Sequence, residues 1–229
     1  MHVPDGFLDA PTSLGTAVVA AAGIGLALRG ARREFDDRAA PLAGLVAVFV
    51  FAGQMINFPV GAGTSGHLLG GALAAVLVGP WTATLCLSCV LIVQALVFAD
   101  GGITALGTNI TLMGIVAVWA AWATFRLARR ALPRRISSVS AAAGIAAFVS
   151  VPVTAAAFTL LYAMGGTAPI DLGTLMTAML TWHVLIGLGE AAITTLAVSS
   201  IAATRPDLVR GAADLTAARE LTIRTGAPA

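Results

Sequence analysis

The chain opens Met-His-Val-Pro-Asp-Gly-Phe, which sets a histidine directly beside the N-terminal amine. That pairing is a chelator. The Met1 amine, the His2 backbone nitrogen and His2 Nδ1 can close two fused, unstrained rings around one ion. Three nitrogens then share a plane, and a fourth equatorial position stays open. A tetragonal nitrogen set favours Ni(II) or Cu(II) and admits Co(II), whereas zinc prefers a tetrahedral set.

The sequence holds only two other histidines as candidates for that fourth position. His67 begins an apolar run in "GTSGHLLGG". His183 sits within a longer run, "TWHVLIGLGE", about 17 Å from its outer end at 1.5 Å per residue. On the topology set out below, His67 lies on the same face as the N terminus and is the candidate partner. A Pro-Asp-Gly turn at residues 4–6, and Pro11 followed by Thr12 or Ser13 as a helix cap, could fold the terminus back toward it. The same residues also fit an incidental surface histidine at position 2 and a helix-start histidine at position 67. Metal-bound imidazoles usually donate their second N–H to a nearby acceptor. Asp5, Ser65 and Asn109 are the candidates for that supporting role.

The elements that must position these groups are membrane helices. Of 229 residues, 58% are hydrophobic and 10% charged, against about 25% charged in soluble domains. Seven apolar segments, at roughly 12–29, 41–58, 66–79, 81–98, 103–127, 139–164 and 172–203, predict an all-α integral membrane bundle forming a single domain. The third covers only about 20 Å of a hydrocarbon core near 30 Å, so it should leave a recess at one end. Cys86 and Cys89 fall in an apolar run and read as small core thiols packed between helices.

Charge placement gives an expected orientation. All 13 basic residues are arginines. They fall between segments one and two, between five and six, and after segment seven, which marks that side as cytoplasmic. The polar tail at 204–229 belongs there, and the N terminus is outside. The opposite side carries Asp5, Asp9, Asp100 and Asp171. No basic stretch precedes the first segment, so a signal peptide is not expected and His2 should remain in the mature chain. The absence of lysine excludes a P-loop, whose lysine contacts phosphate, so any ATP-driven role must borrow its ATPase. A net charge of +2 is too small to suggest nucleic acid as a partner.

Glu190 and His183 lie two turns apart on one face of the last segment, and an ionisable residue in a span is a functional candidate. A proton relay is one reading; a structural pair or a hydrogen bond to a neighbouring helix is the favoured one. Proton-coupled secondary metal transport through these two residues is thus an alternative function, although the HxxxxDH pattern of nickel/cobalt permeases is absent. No HExxH is present to suggest a metalloenzyme.

Four stretches carry a family resemblance: "MHVPDGFL" at the start, "SGHLLGGALAAVLVGPW" at 65–81, "LIVQALVFADGGITALGTNI" at 91–110 and "GLGEAAITTLAV" at 187–198. They resemble the cobalt/nickel substrate-binding subunits of energy-coupling-factor importers, the CbiM/NikM family. The resemblance implies a seven-helix bundle whose N terminus plugs a central cavity. It implies a metal held by the Met1 amine, the His2 backbone nitrogen and imidazole, and the His67 imidazole. It further implies a multi-pass subunit of a bacterial or archaeal inner membrane, without organic cofactor or catalysed reaction. Its partners would be a transmembrane coupling protein and a pair of cytoplasmic ABC ATPases. Any small accessory membrane subunit would be a separate chain, because the polar tail adds no further span. The cargo would be Ni(II) or Co(II), the latter for cobalamin synthesis.

Inserting one alanine between Met1 and His2 changes the chelate rings and lengthens the segment that must fit the recess. Isothermal titration with Ni(II) should show severe loss of binding; unchanged affinity would contradict the chelate.

Overall fold

The structure, a computed structural model, describes residues 2–34, 39–61 and 64–220. Met1 and Arg38 lie outside the described residues, as does the end of the polar tail from 221.

The first helix, α1 (Ala10–Ala31), starts where Asp9 accepts a hydrogen bond from the Thr12 N–H at 2.9 Å, with Pro11 in the first turn. Thr12 and Ser13, expected as caps, are instead inside the helix. An aspartate just ahead of the proline satisfies a free N–H, while the proline has none to satisfy. α2 (Ala39–Met55) follows, then a short antiparallel hairpin of β1 (Phe58–Gly61) and β2 (Thr64–Gly66). α3 (Gly71–Val78) and α4 (Pro80–Val97) meet at Gly79. α5 (Leu106–Asn109), a π-helical stretch (Ile110–Val116) and α6 (Ala117–Ala131) run on as one helix of 26 residues. α7 (Ile136–Gly165) and α8 (Leu172–Thr204) form a long paired hairpin, and Asp171 caps α8 through the Thr174 N–H at 2.9 Å.

Among the described residues, five helices are long and apolar enough to cross a membrane: α1, α4, Leu106–Ala131, α7 and α8. The second and third expected segments differ. α2 stops at Met55, and the chain turns extended at Phe58 and Pro59, where proline cannot donate to a helix. The expected segment at 66–79 yields only eight helical residues, about 12 Å of rise. Residues 67–70 are non-helical, and Gly70 has φ +76°, where an added Cβ would meet the Val50 side chain at 2.7 Å. All eight α3 residues are buried, enclosed by α2, α4, α6, α7 and α8. Its apolar character therefore reflects a protein interior more than lipid. Small residues carry this packing, with Ala72, Ala74 and Ala75 of α3 and Ala142, Ala143, Ala146 and Ala147 of α7 in one core.

At the end of the bundle away from His2, a buried carboxylate starts α4. Glu34 accepts from the Thr82 N–H at 2.8 Å and the Thr82 hydroxyl at 2.9 Å, satisfying free donors where the helix dipole is positive. Gly79 must be glycine: its φ is +91°, and a Cβ there would stand 2.5 Å from the Glu34 carboxyl carbon. The polar tail does not simply trail away. Two 3-10 turns, Pro206–Leu208 and Arg210–Ala212, lead into α9 (Ala213–Glu220), burying Val209 and Ala212. Asp214 then lies 3.4 Å from Arg129 and 3.2 Å from Arg134. The two cysteines also separate: Cys86 is buried, with its thiol 3.5 Å from the Ala43 carbonyl, whereas Cys89 is exposed, past the edge of the buried face.

Gly107 marks a backbone-close crossing of α5 with α1, because a Cβ there would stand 2.4 Å from the Ala17 Cα. Gly107→Ala should destabilise the chain by about 1–3 kcal/mol through overpacking. Gly15→Ala meets nothing within 4 Å and should be neutral or stabilising by up to about 1 kcal/mol. Thermal unfolding of both variants in detergent checks the pair.

Candidate metal centre

Residues 2–9 form a strap held on both edges. On one edge Asn109 bonds Val3 twice: its Oδ1 accepts from the Val3 N–H at 2.8 Å, and its Nδ2 donates to the Val3 carbonyl at 3.1 Å. The Gly102 N–H donates to the same carbonyl at 2.9 Å. Asp5 Oδ1 accepts from the Thr104 N–H at 2.7 Å and from its hydroxyl, which holds the exposed Asp5 carboxyl below its usual range. On the other edge, Asp9 N–H donates to the Gly165 carbonyl at 2.7 Å and Thr167 N–H to the Phe7 carbonyl at 3.1 Å. Phe7 packs between Phe158 and Tyr162 with ring centroids 5.7 and 5.4 Å away. Val3, Phe7 and Leu8 are buried.

The glycines of "DGG" at 100–102 permit this approach. A Cβ at Gly101 would crowd Asn109 Nδ2 at 3.0 Å and the His2 ring at 3.2 Å, and one at Gly102 would strike the Asp5 nitrogen at 2.4 Å. The strap and the loop after α4 therefore touch backbone to backbone.

The strap delivers His2 into the bundle, where only 7% of it remains exposed. Its ring stacks on that of His67, with centroids 4.4 Å apart and planes at 30°. His2 Nε2 donates to Gln94 Oε1 at 3.0 Å, since a carbonyl oxygen can only accept, so the lone pair sits on Nδ1. His67 Nδ1 donates to the Leu68 carbonyl at 2.8 Å, so its lone pair sits on Nε2. Both remaining nitrogens, His2 Nδ1 and His67 Nε2, are buried and have no hydrogen bond among the described residues. Buried polar atoms are nearly always paired, so two orphaned imidazole lone pairs beside stacked rings mark a place for a ligand. An acceptor fixing the other nitrogen is also what metal-bound histidines have.

The electrostatics keep the ring unprotonated. Burial, reinforced by the N-terminal charge, pushes the His2 imidazole down to about 4, although Asp100 and Gln94 pull it back up. The ring is thus neutral at ordinary pH, with its lone pair available. Asp100 Oδ1 lies 3.3 Å from His2 Nδ1 and places negative charge beside the site. Among the described residues no three His, Cys, Asp or Glu side chains gather as a metal cage. Met1, the expected amine donor, lies outside the described residues.

The other expected residues have distinct places. Asp5 and Asn109 bond the strap and the loop after α4, so they position His2 through Val3 and Thr104, one step removed from the rings. Ser65 stands opposite Pro59 in the hairpin that leads to His67. The acceptor on His2 is Gln94, a residue that in sequence is one polar group among several in apolar helices; its signal is a fully buried amide on α4. Glu190 and His183 do not bond one another. His183 Nδ1 donates to the Met179 carbonyl on its own helix at 2.7 Å. Glu190 accepts from the Leu69 and Gly70 N–H groups at 2.8 and 2.9 Å.

Comparison with known proteins agrees with this architecture. A Haloquadratum walsbyi protein named as a metal transport protein is 42% identical over 213 residues, covering 91% of this chain and 93% of its own length. An Archaeoglobus fulgidus protein named as a fused nickel transport protein, NikMN, is 39% identical over 209 residues, covering 91% of this chain and 68% of its own. A crystal structure of a truncated transition metal transporter superposes with a TM-score of 0.78 at 29% identity, over 88% of this chain and 98% of that one. The family model described as "Cobalt uptake substrate-specific transmembrane region" matches residues 2–208, and the chain belongs to this CbiM family.

Proposed function

We propose that the chain is the metal-binding membrane subunit of an energy-coupling-factor ABC importer, capturing Ni(II) or Co(II) from outside the cell for ATP-driven uptake. The observation that carries this reading is the stacked pair of buried imidazoles whose His2 Nδ1 and His67 Nε2 have no hydrogen bond among the described residues. The proposed ligands are the Met1 amine, the His2 backbone nitrogen and Nδ1, and His67 Nε2. The first three are adjacent along the chain and hold the ion in a plane by covalent geometry. His67 supplies the fourth corner from the far side of the bundle. Such a set suits Ni(II) and accommodates Co(II), and the family description and the relative named as a nickel transport protein support those ions.

Capture follows from the strap. Hydrogen bonds to Asn109, Gly102 and Thr104 hold Val3 and Asp5 in place, so little entropy of this stretch is lost when the ion binds. Energy for transport comes from elsewhere, because no P-loop lysine exists in the sequence. The reading accordingly includes a transmembrane coupling protein and a pair of cytoplasmic ABC ATPases, and admits a small accessory membrane subunit. The end carrying Arg33, Arg129, Arg134 and Arg210 faces the cytoplasm, and the strap faces outward. Proton-coupled transport through Glu190 and His183 gains little support, since each is bonded to a different partner and they share no hydrogen bond.

Metal accumulation by cells should require co-expressed ATPases and stop with a Walker-motif mutant of those ATPases; uptake that persists would favour a secondary transporter. Gln94→Leu removes the acceptor on His2 while keeping the side-chain volume. Titration of the purified chain should then show Ni(II) affinity reduced about 10–100-fold.

A further inference from the structure

Glu190 is a carboxylate in the middle of α8, 1% exposed, in a setting where an acid is costly. Both of its oxygens are taken by backbone donors, the Leu69 N–H at 2.8 Å and the Gly70 N–H at 2.9 Å. These donors belong to residues 67–70, the non-helical stretch ahead of α3. The Leu69 carbonyl accepts from Gln54 Nε2 of α2 at 2.8 Å. The stretch is thus clamped from α8 and from α2.

One peptide group in it has two roles. The carbonyl of Leu68 and the N–H of Leu69 belong to the same planar unit. The carbonyl accepts from His67 Nδ1 at 2.8 Å, and the N–H donates to Glu190 at 2.8 Å. A carboxylate on the N–H polarises the unit and makes its carbonyl a stronger acceptor. A stronger acceptor on Nδ1–H in turn strengthens Nε2 as a donor to a metal and fixes the ring's orientation.

We infer that Glu190 is a positioning residue for the metal, acting on His67 through the Leu68–Leu69 peptide. It is the counterpart of a carboxylate–histidine–metal triad with a peptide group interposed. The inference rests on the reading of His67 as a metal ligand, and it gives the buried acid of α8 a role without proton transport.

Glu190→Gln tests it, because the amide keeps the volume but turns an NH2 toward one of the two N–H donors. The full-length purified chain in detergent is titrated with Ni(II), and the ligand-field band of the loaded protein is recorded beside those of wild type and His67→Ala. Glu190→Gln should lower affinity about 10–100-fold and move the band toward that of His67→Ala. Glu190→Asp, which keeps the charge but retracts it, should fall between the two and decides the matter if Glu190→Gln does not fold. Thr194→Val, equally buried one turn along α8, should leave affinity and band unchanged. A wild-type band and affinity in Glu190→Gln overturn the relay, as does equal affinity loss in Thr194→Val. If His67→Ala itself binds as wild type, the metal site fails and the relay with it; if only His67→Ala fails to bind, the site stands and the relay alone is wrong.

Discussion

Asn109 bonds both the N–H and the carbonyl of Val3, and the position of His2 depends on that grip. Chain termini fray unless something holds them, and a single side-chain contact would leave the residue ahead of Val3 free to swing. Two hydrogen bonds to one residue fix both its position and the direction of its backbone, so the ring of the preceding residue is aimed as well as placed. The grip occurs where α5 passes into the π-helical stretch at Ile110. Such widened turns often occur at functional sites. The glycines at 101 and 102 complete it by letting the loop after α4 lie against the strap, and Phe7 anchors the strap's other end between the aromatic rings of α7.

The other half of the site depends on α3. A helix of eight buried residues cannot cross a bilayer, so the chain must enter it from within the bundle. The non-helical stretch before it carries His67 to the depth of the strap. That stretch would bury free backbone groups, each costly in a water-poor interior. Glu190, Gln54 and the His67 ring itself meet them. Gln54 and Glu190, polar residues in apolar helices, are therefore explained by backbone in need of partners. The same logic places Glu34 on the first turn of α4.

Much of this architecture was legible in the apolar runs, because a stretch of about 20 residues without charge has few other fates. Five of the expected segments form helices of spanning length. The third was legible as too short to span, but its helical extent of eight residues was not, since burial against protein and burial in lipid demand the same apolar side chains. The hairpin at 58–66 was hidden as well, because Phe58 read as the end of the second segment and the residues after it fell between two segments. His2 and His67 stood out because the sequence contains so few histidines, and their approach in space was reachable through topology. Gln94 and the Glu190 relay were not. Their partners are an imidazole 92 residues away and backbone groups 120 and 121 residues away, and a backbone N–H leaves no mark in a sequence.

The proposed ligand set divides affinity from release. Three of its four nitrogens are fixed to one another by covalent bonds along the first two residues, so no motion of the bundle can separate them. Only the distance from His2 to His67 is a tertiary quantity. The strap is tied to the loop after α4, to α5 and to the turn between α7 and α8, whereas His67 is tied through Leu69 and Gly70 to α8 and α2. A transport step that shifts those two sets of supports relative to each other would draw His67 off the ion and leave a weaker three-nitrogen chelate. The ion need not be stripped of all its ligands at once, and it can leave with the fourth position open to water.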